Sequence, residues 1–354
     1  MFDRAALAME RAWFQPPRFL LLLLPLEWLF AGLTAFRRVA YRKGWFTSGH
    51  PGVPVIVVGN LSVGGTGKTP VVLGITQSLM EHGYTVAVVS RGYAGSATGT
   101  VQVTPDSDYR EVGDEALLIA KNTHGLVLVG RDRLAAAKRA VELGAEVIVS
   151  DDGLQHYALQ RDVEVVTSDA VLGFGNAHLL PVGPLREPLR RLATVDFFLQ
   201  RGGQDSHSGT VYRAKHFRRF SDGAIRDTDD PGFGPSVHAS AAIAHPQRFF
   251  DDLRALGMEP IEHRFVDHRA FAESDFDGLD DLPVVMTAKD AVKCPDVLPC
   301  DAWILDMEIQ FPKDFIQQLM QRAGLLHEPS DVDVQDSPGK ETVPEERQSG
   351  GDSL

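Results

Sequence analysis

The chain has 354 residues and 44% of them are apolar, enough for a sizeable core in one large or two modest domains. Its formal charge is −13, with 48 Asp+Glu against 35 Lys+Arg. That balance excludes nonspecific nucleic-acid binding, which needs a basic footprint. The two cysteines, Cys294 and Cys300, have Pro295 and Pro299 between them and no second Cys/His pair nearby. Neither a disulfide framework nor a zinc site is expected, only two free thiols in a reducing compartment.

Charge is unevenly placed along the chain. Arg4, Arg11, Arg18, Arg37, Arg38, Arg42 and Lys43 give the first 50 residues a basic surplus, whereas the last 28 are strongly acidic. Between them, Phe19 to Phe36 reads FLLLLLPLEWLFAGLTAF, a run near the shortest that crosses a bilayer, interrupted by Pro25 and Glu27. No small-x-small cleavage site follows, which disfavours a signal peptide. Basic residues close the run, and Trp13, Trp28, Tyr41 and Trp45 border it, as suits an interface with anionic headgroups. The expectation is a membrane-associated helix with its basic flank over residues 1–46; the competing reading is a buried core helix.

From residue 47 a regular alternation begins. Val53–Val58, Thr85–Ser90, Leu126–Val129, Val147–Val149 and Val163–Thr167 are short apolar, β-branched runs. Thr69–His82, Glu115–Lys121 and Arg133–Leu143 between them carry helical patterns. Such strands, apolar on both faces, predict an α/β fold whose parallel sheet has helices on both faces, with ligands outside the strands' carboxyl ends. This P-loop core is placed at 47–200. Residues 201–236, rich in Gly, Asp and Ser, read as loops and short strands, and a smaller α/β domain fills 201–327. Its elements are a helix over Pro246–Leu256, strands at Leu282–Thr287 and Ala302–Leu305, and a helix over Lys313–Ala323. The acidic segment 328–354 has too few apolar groups to fold and is expected to be disordered.

Gly59-Asn60-Leu61-Ser62-Val63-Gly64-Gly65-Thr66-Gly67-Lys68-Thr69 follows a predicted strand and opens a helix, the context of a phosphate-binding loop. Its glycines let backbone N–H groups turn inward around phosphate oxygens; Lys68 reaches the outer phosphates and Thr69 binds Mg²⁺. Ser62 stands where the usual pattern has its first glycine. Ser150-Asp151-Asp152-Gly153 ends an apolar strand with two carboxylates, hard oxygen ligands suited to a magnesium ion beside the loop. Asp114 and Glu115 sit at a helix start, where capping and catalysis are equally open readings. Arg91 and Tyr93 follow a strand, Arg186 is presented by a proline-rich turn, and His268, alone in Val266-Asp267-His268, fits a structural role as well as a catalytic one.

Taken in order, GNLSVGGTGKTP, SRGY, VGDEALLIA, GRDR, SDDGLQH, LLPVGPLREP and VDH resemble the motif set of tetraacyldisaccharide 4'-kinases, from about residue 10 to 325. The substitution at Ser62 is usual in that family, while Ser150 and Ala116 depart mildly from it. The resemblance implies transfer of the ATP γ-phosphoryl group to the 4'-hydroxyl of a tetraacylated disaccharide 1-phosphate, yielding lipid IVA. It also implies the cytoplasmic face of a Gram-negative inner membrane, ATP and Mg²⁺ as cofactors, an acylated disaccharide lipid as acceptor, and no nucleic-acid or protein partner. By motif, Asp114 is the base paired with His268. Lys68 and Arg186 serve the transferring phosphate, and Ser62, Val63, Gly64, Gly65, Thr66, Gly67, Lys68, Thr69 and Tyr93 hold the nucleotide. Thr69, Asp151, Asp152 and Glu115 form the metal site. Two competing readings are a nucleotide hydrolase of the chaperone type and a non-enzymatic membrane adaptor. The first usually carries an Asn-Lys-x-Asp motif, of which Thr287-Ala288-Lys289-Asp290 is only a partial echo.

Overall fold

The computed structural model describes residues 13–14, 18–65, 67–267 and 269–326. Thr66, His268 and the acidic segment from 328 onward lie outside them. A 3-10 stretch, Arg18–Leu23, leads into helix α1, Leu24–Arg42. Then come β1 (Val55–Gly59), α2 (Lys68–Glu81), β2 (Val86–Ser90), β3 (Thr100–Val103), α3 (Tyr109–Val112), α4 (Asp114–Asn122) and β4 (Leu126–Gly130). The alternation continues through α5 (Arg133–Glu142), β5 (Val147–Asp151), β6 (Val163–Asp169) and β7 (Phe197–Arg201). The second half holds β8 (Gly209–Arg219), β9 (Ile225–Arg226), β10 (Ser236–Ala241), α6 (Pro246–Ala255) and β11 (Glu259–Arg264). It ends with β12 (Val284–Thr287), α7 (Ala288–Ala291), β13 (Ala302–Gln310) and α8 (Phe315–Arg322).

The strands line up in the order β11-β10-β12-β13-β8-β7-β6-β1-β5-β2-β4-β3, with β9 on β8. Pairing from β7 through β4 is parallel, and β3 closes that edge antiparallel. All five residues of β1, β2 and β5 are buried, as continuous apolar strands covered on both faces must be. Ile56 and Val58 face Val71, Val72, Ile75 and Leu79 of α2, together with Phe315 and Leu319 of α8. Val55 and Val57 face the opposite layer, where Ala136, Ala137 and Ala140 bring α5 close to the sheet. Asp132 caps that helix, accepting from the Ala135 N–H at 3.0 Å.

β8 is the main departure from the expected loops in 201–236. Its eleven residues pair parallel with β7 at Gln200–Gly209 and Arg201–Thr210, then antiparallel with β13 over Val211–Arg219. Ala302–Leu305 is accordingly the first part of a nine-residue strand.

The apolar N-terminal segment forms a helix, and Glu27 explains its interruption. Glu27 is buried against the body. Its carboxylate accepts the Leu179 N–H at 2.8 Å and lies 2.9 Å from Nδ1 of His178. Phe30 and Ala31 pack on the α5 side of the sheet, and Ala40 is fully buried. Leu22, Leu26, Trp28, Leu29, Leu33 and Phe36 remain exposed. One stripe is thus bound to protein and the other is bare. Glu27→Ala should leave the buried Leu179 N–H unpaired and cost about 1–3 kcal/mol. A lower thermal midpoint in detergent checks this; a raised midpoint would mean that Glu27 faces lipid.

Candidate active site

The loop after β1 is built by two constraints. Gly64 and Gly67 hold φ of 107° and 79°, left-handed values that side chains resist, and Gly67 starts α2 from that conformation. The first half of the loop is meanwhile paired with residues 184–186. Val63 N–H donates to Pro184 O at 2.8 Å, Arg186 N–H donates to Leu61 O at 2.6 Å, and Ser62 bridges Leu185. Ser62 is therefore buried in this pairing and does not line the cleft. The pairing places Arg186 in the cleft that the glycine loop borders.

Asp152, at φ 47°, turns sharply after β5 and meets both cations. Its carboxylate lies 3.5 Å from Lys68 Nζ and 3.1 Å from Arg186 Nη1. Burial works against its charge, but Lys68 and Arg186 outweigh it and hold the carboxyl below its ordinary range. Asp151 behaves oppositely. It is 1% exposed, and Oδ2 accepts from Ser90 Oγ at 3.2 Å, while Oδ1 is buried without a hydrogen-bond partner. Burial first, then the neighbouring charges of Glu115 and Asp152, push it up to about 7. A buried carboxylate oxygen without a donor, crowded by other acids at a strand end, is the donor chemistry that a hard divalent cation satisfies. The oxygens of Asp151 and Asp152 suit magnesium, although among the described residues no three His, Cys, Asp or Glu side chains gather as a metal site.

On the far side of the cleft, α4 starts at Asp114 with Gly113 as its cap, so Asp114 does not serve as the cap. Asp114 is buried, its Oδ1 accepting the Glu115 N–H at 2.9 Å, and it does not line the cleft; Glu115 does. Val63, Gly64, Gly65, Gly67, Lys68, Thr69, Tyr93, Glu115, Asp151, Asp152 and Arg186 all border one cavity of about 2240 Å³. Asp267, the neighbour of His268, borders it too, as do Phe30, Thr34 and Arg37 of α1.

Three residues that the sequence reading passed over belong to the same site. Arg133 is buried and donates to Asp151 O at 2.9 Å, bracing the turn that carries both acids; GRDR contained the signal, but four residues alone do not separate Arg133 from Arg131. Gln155 links the halves of the loop, donating to Asn60 O and to Glu187 Oε1, both at 3.1 Å. Tyr212, on β8, donates to Gly67 O at 2.6 Å under the Arg201 guanidinium. No local pattern marks Tyr212, because its role comes from a strand 145 residues downstream of the loop.

A glycine loop between strand and helix, a paired lysine and arginine, and acids at the next strand's end define a P-loop phosphotransferase. The sequence pattern of the family described as "Tetraacyldisaccharide-1-P 4'-kinase" matches residues 19–324, and the chain belongs to that family. A tetraacyldisaccharide 4'-kinase of Methylobacillus flagellatus is 42% identical over 324 residues, 90% of this chain and 97% of its own length. Another, from Alkalilimnicola ehrlichii, is 46% identical over 80% of this chain and 86% of its own length. The crystal structure of LpxK from Aquifex aeolicus in complex with ATP superposes with a TM-score of 0.72 at 26% identity, covering 86% of this chain and 99% of that one.

Tyr212→Phe keeps the ring and removes the donor to Gly67. Losing one such hydrogen bond costs about 0.5–1.5 kcal/mol, so nucleotide affinity should fall by roughly threefold to tenfold. Titration with a fluorescent ATP analogue measures it.

Proposed function

We propose that the chain binds ATP at the Gly64–Thr69 loop and transfers its γ-phosphoryl group to the 4'-hydroxyl of a tetraacyldisaccharide 1-phosphate lipid at the cytoplasmic face of a Gram-negative inner membrane. The observation that carries this reading is the single cleft bordered at once by the phosphate loop, the acids after β5 and three side chains of α1. An acylated acceptor needs such an arrangement, because its acyl chains stay in lipid while its sugar must reach a water-soluble nucleotide.

Phosphoryl transfer asks mainly for positioning and charge neutralisation. Lys68 and Arg186 would draw the transferring group's oxygens, exchanging their contacts with Asp152 for contacts with phosphate. Asp151, Asp152, Glu115 and Thr69 would hold Mg²⁺, which when bound neutralises charge on the phosphate oxygens. Asp114, assisted by His268, would take the acceptor's proton; its electrostatic contact with Lys289, which borders the cleft, supports that placement. Tyr93, exposed on the cleft wall, would lie along the nucleotide.

The bare stripe of α1 would rest in the interfacial region. Each large apolar side chain leaving water contributes about 1.5–3 kcal/mol, and Arg37, Arg42 and Lys43 stand ready for anionic headgroups. The helix from Leu20 to Arg42 is long and apolar enough to cross a bilayer, but its tie through Glu27 favours lying along the surface.

Purified full-length protein in mixed micelles with labelled ATP and disaccharide 1-phosphate should yield a doubly phosphorylated lipid. ATP turnover indifferent to the lipid would overturn the reading. In the same assay Asp114→Ala should lower kcat by about 10²–10⁴-fold with little change in the KM for ATP; an unchanged kcat removes Asp114 from the role of base.

The carboxyl of Asp151 also sets a pH dependence. Raised from 3.8 to about 7, it binds a proton in the folded state that the unfolded chain releases. Metal-free protein should therefore lose stability as pH climbs from about 4 to about 7. Since the metal needs the ionised form, apparent Mg²⁺ affinity should fall up to about tenfold per pH unit below 7. Thermal shift measured against pH with and without Mg²⁺ tests both signs, and Asp151→Asn should flatten both curves.

A further inference from the structure

The segment Thr287-Ala288-Lys289-Asp290-Ala291-Val292-Lys293 has no part in the reaction as described, yet every polar side chain in it is committed. It leaves the carboxyl end of β12 and enters α7 at once. Thr287 Oγ1 accepts the Asp290 N–H at 3.1 Å and donates to Asp290 Oδ2 at 2.7 Å. Asp290 is fully buried and pairs with Lys293 at 2.9 Å. The Lys293 ammonium, itself buried, donates to Ala242 O just beyond β10. A short helix is thus fixed at its cap, its base and its neighbouring strand.

One side chain projects from this platform into the cleft. Lys289 reaches across from the second half of the chain, its Nζ 3.3 Å from Glu115 Oε1 and 4.0 Å from Asp267 Oδ1. Glu115 belongs to α4 in the P-loop half, and Asp267 belongs to the segment that carries His268. Asp114 contributes to the same field. Glu115 and Asp267 are both within ion-pair distance, so the ammonium bridges the start of α4 and the loop of Asp267. For stability alone, an apolar residue would often serve such a half-buried position as well as a charge.

We propose that Lys289 is a positioning residue for phosphoryl transfer, whose ammonium holds Glu115 and Asp267 at one fixed separation and so sets the acceptor-side acids against the magnesium-side acids. Glu115 and Asp267 on one cleft wall repel each other. A cation delivered from a rigid platform lets them stay close. It also ties the loop of Asp267 to the start of α4, the two places from which the acceptor's proton would be handled. This deepens the reading of Asp114 as base and rests on it.

The test compares Lys289→Met, which keeps length and removes charge, with Lys289→Arg, in full-length protein in lipid mixed micelles. Lys289→Met should lower kcat by about 10²-fold, the scale of a misplaced reacting group, while the KM for ATP moves by no more than about twofold. The thermal midpoint should stay near that of the parent, and Lys289→Arg should recover activity to within about fivefold of it. Combining Lys289→Met with Asp267→Asn should cost no more than the worse single change, because both break one contact. A kcat for Lys289→Met within about twofold of the parent overturns the proposal. So does an arginine variant as impaired as the methionine one, or a loss of midpoint in step with kcat. Asp114→Ala in parallel separates the failures: if it too keeps full kcat, the base assignment has failed, and if it alone falls, only Lys289 is misassigned.

Discussion

Two consecutive carboxylates stand at the end of a strand, Asp151 buried and Asp152 half-buried, and the surroundings of the site are arranged around the cost of that burial. A buried unpaired carboxylate is so unfavourable that it takes up a proton unless a cation or donors reach it. Asp152 is compensated by Lys68 from one side and Arg186 from the other. Asp151 is left with one oxygen unmet and is correspondingly hard to ionise. The same feature that makes burial of Asp151 costly makes it receptive to a dication. Lys68 and Arg186 are in turn held by one anionic partner, so their charges are already oriented in the cleft they border.

The position of Arg186 depends on backbone, not on its own packing. Residues 184–186 run beside Leu61–Val63 as an added piece of strand, and Glu187 anchors the end of that run through Gln155, Tyr157 and Arg191. Glu187 is buried, yet four polar groups meet its carboxylate, Arg38 of α1 among them at 3.8 Å. The proline-rich turn is therefore a brace: its rigidity holds one guanidinium in the cleft, and its neighbours carry the load into the core.

What could be read in the amino-acid order follows from how local each signal is. β1, the glycine loop and α2 are contiguous, so their pattern is complete within about two dozen residues, and the strands of the parallel core announce themselves by unbroken β-branched runs. β8 escaped because its alternation of exposed and half-buried residues mixes charged and apolar types where it joins two sets of partners. β10 and β11 escaped similarly, with His238 and His263 in contact where apolar side chains are expected. Glu27 looked like a defect in an apolar helix, and only the Leu179 N–H, 152 residues away, explains it. Tyr212 and Lys289 act across comparable distances; no local periodicity encodes an aim at another element.

The same contacts bear on how α1 is tied to the segment that carries Arg186. Glu27 of α1 is bonded at residues 178–179, and the chain then needs only seven further residues to reach Arg186. Trp13 donates to Pro181 O within that stretch, and Leu20 packs on Val182. α1 and the guanidinium of Arg186 thus stand at two ends of one short, well-bonded segment. An acceptor anchored by acyl chains cannot rise to meet a nucleotide without exposing hydrocarbon, at about 0.8 kcal/mol for each methylene withdrawn. With α1 in the interfacial placement proposed above, this rigid link would remove the need for that excursion, because the protein would fix the distance that the lipid otherwise has to make up.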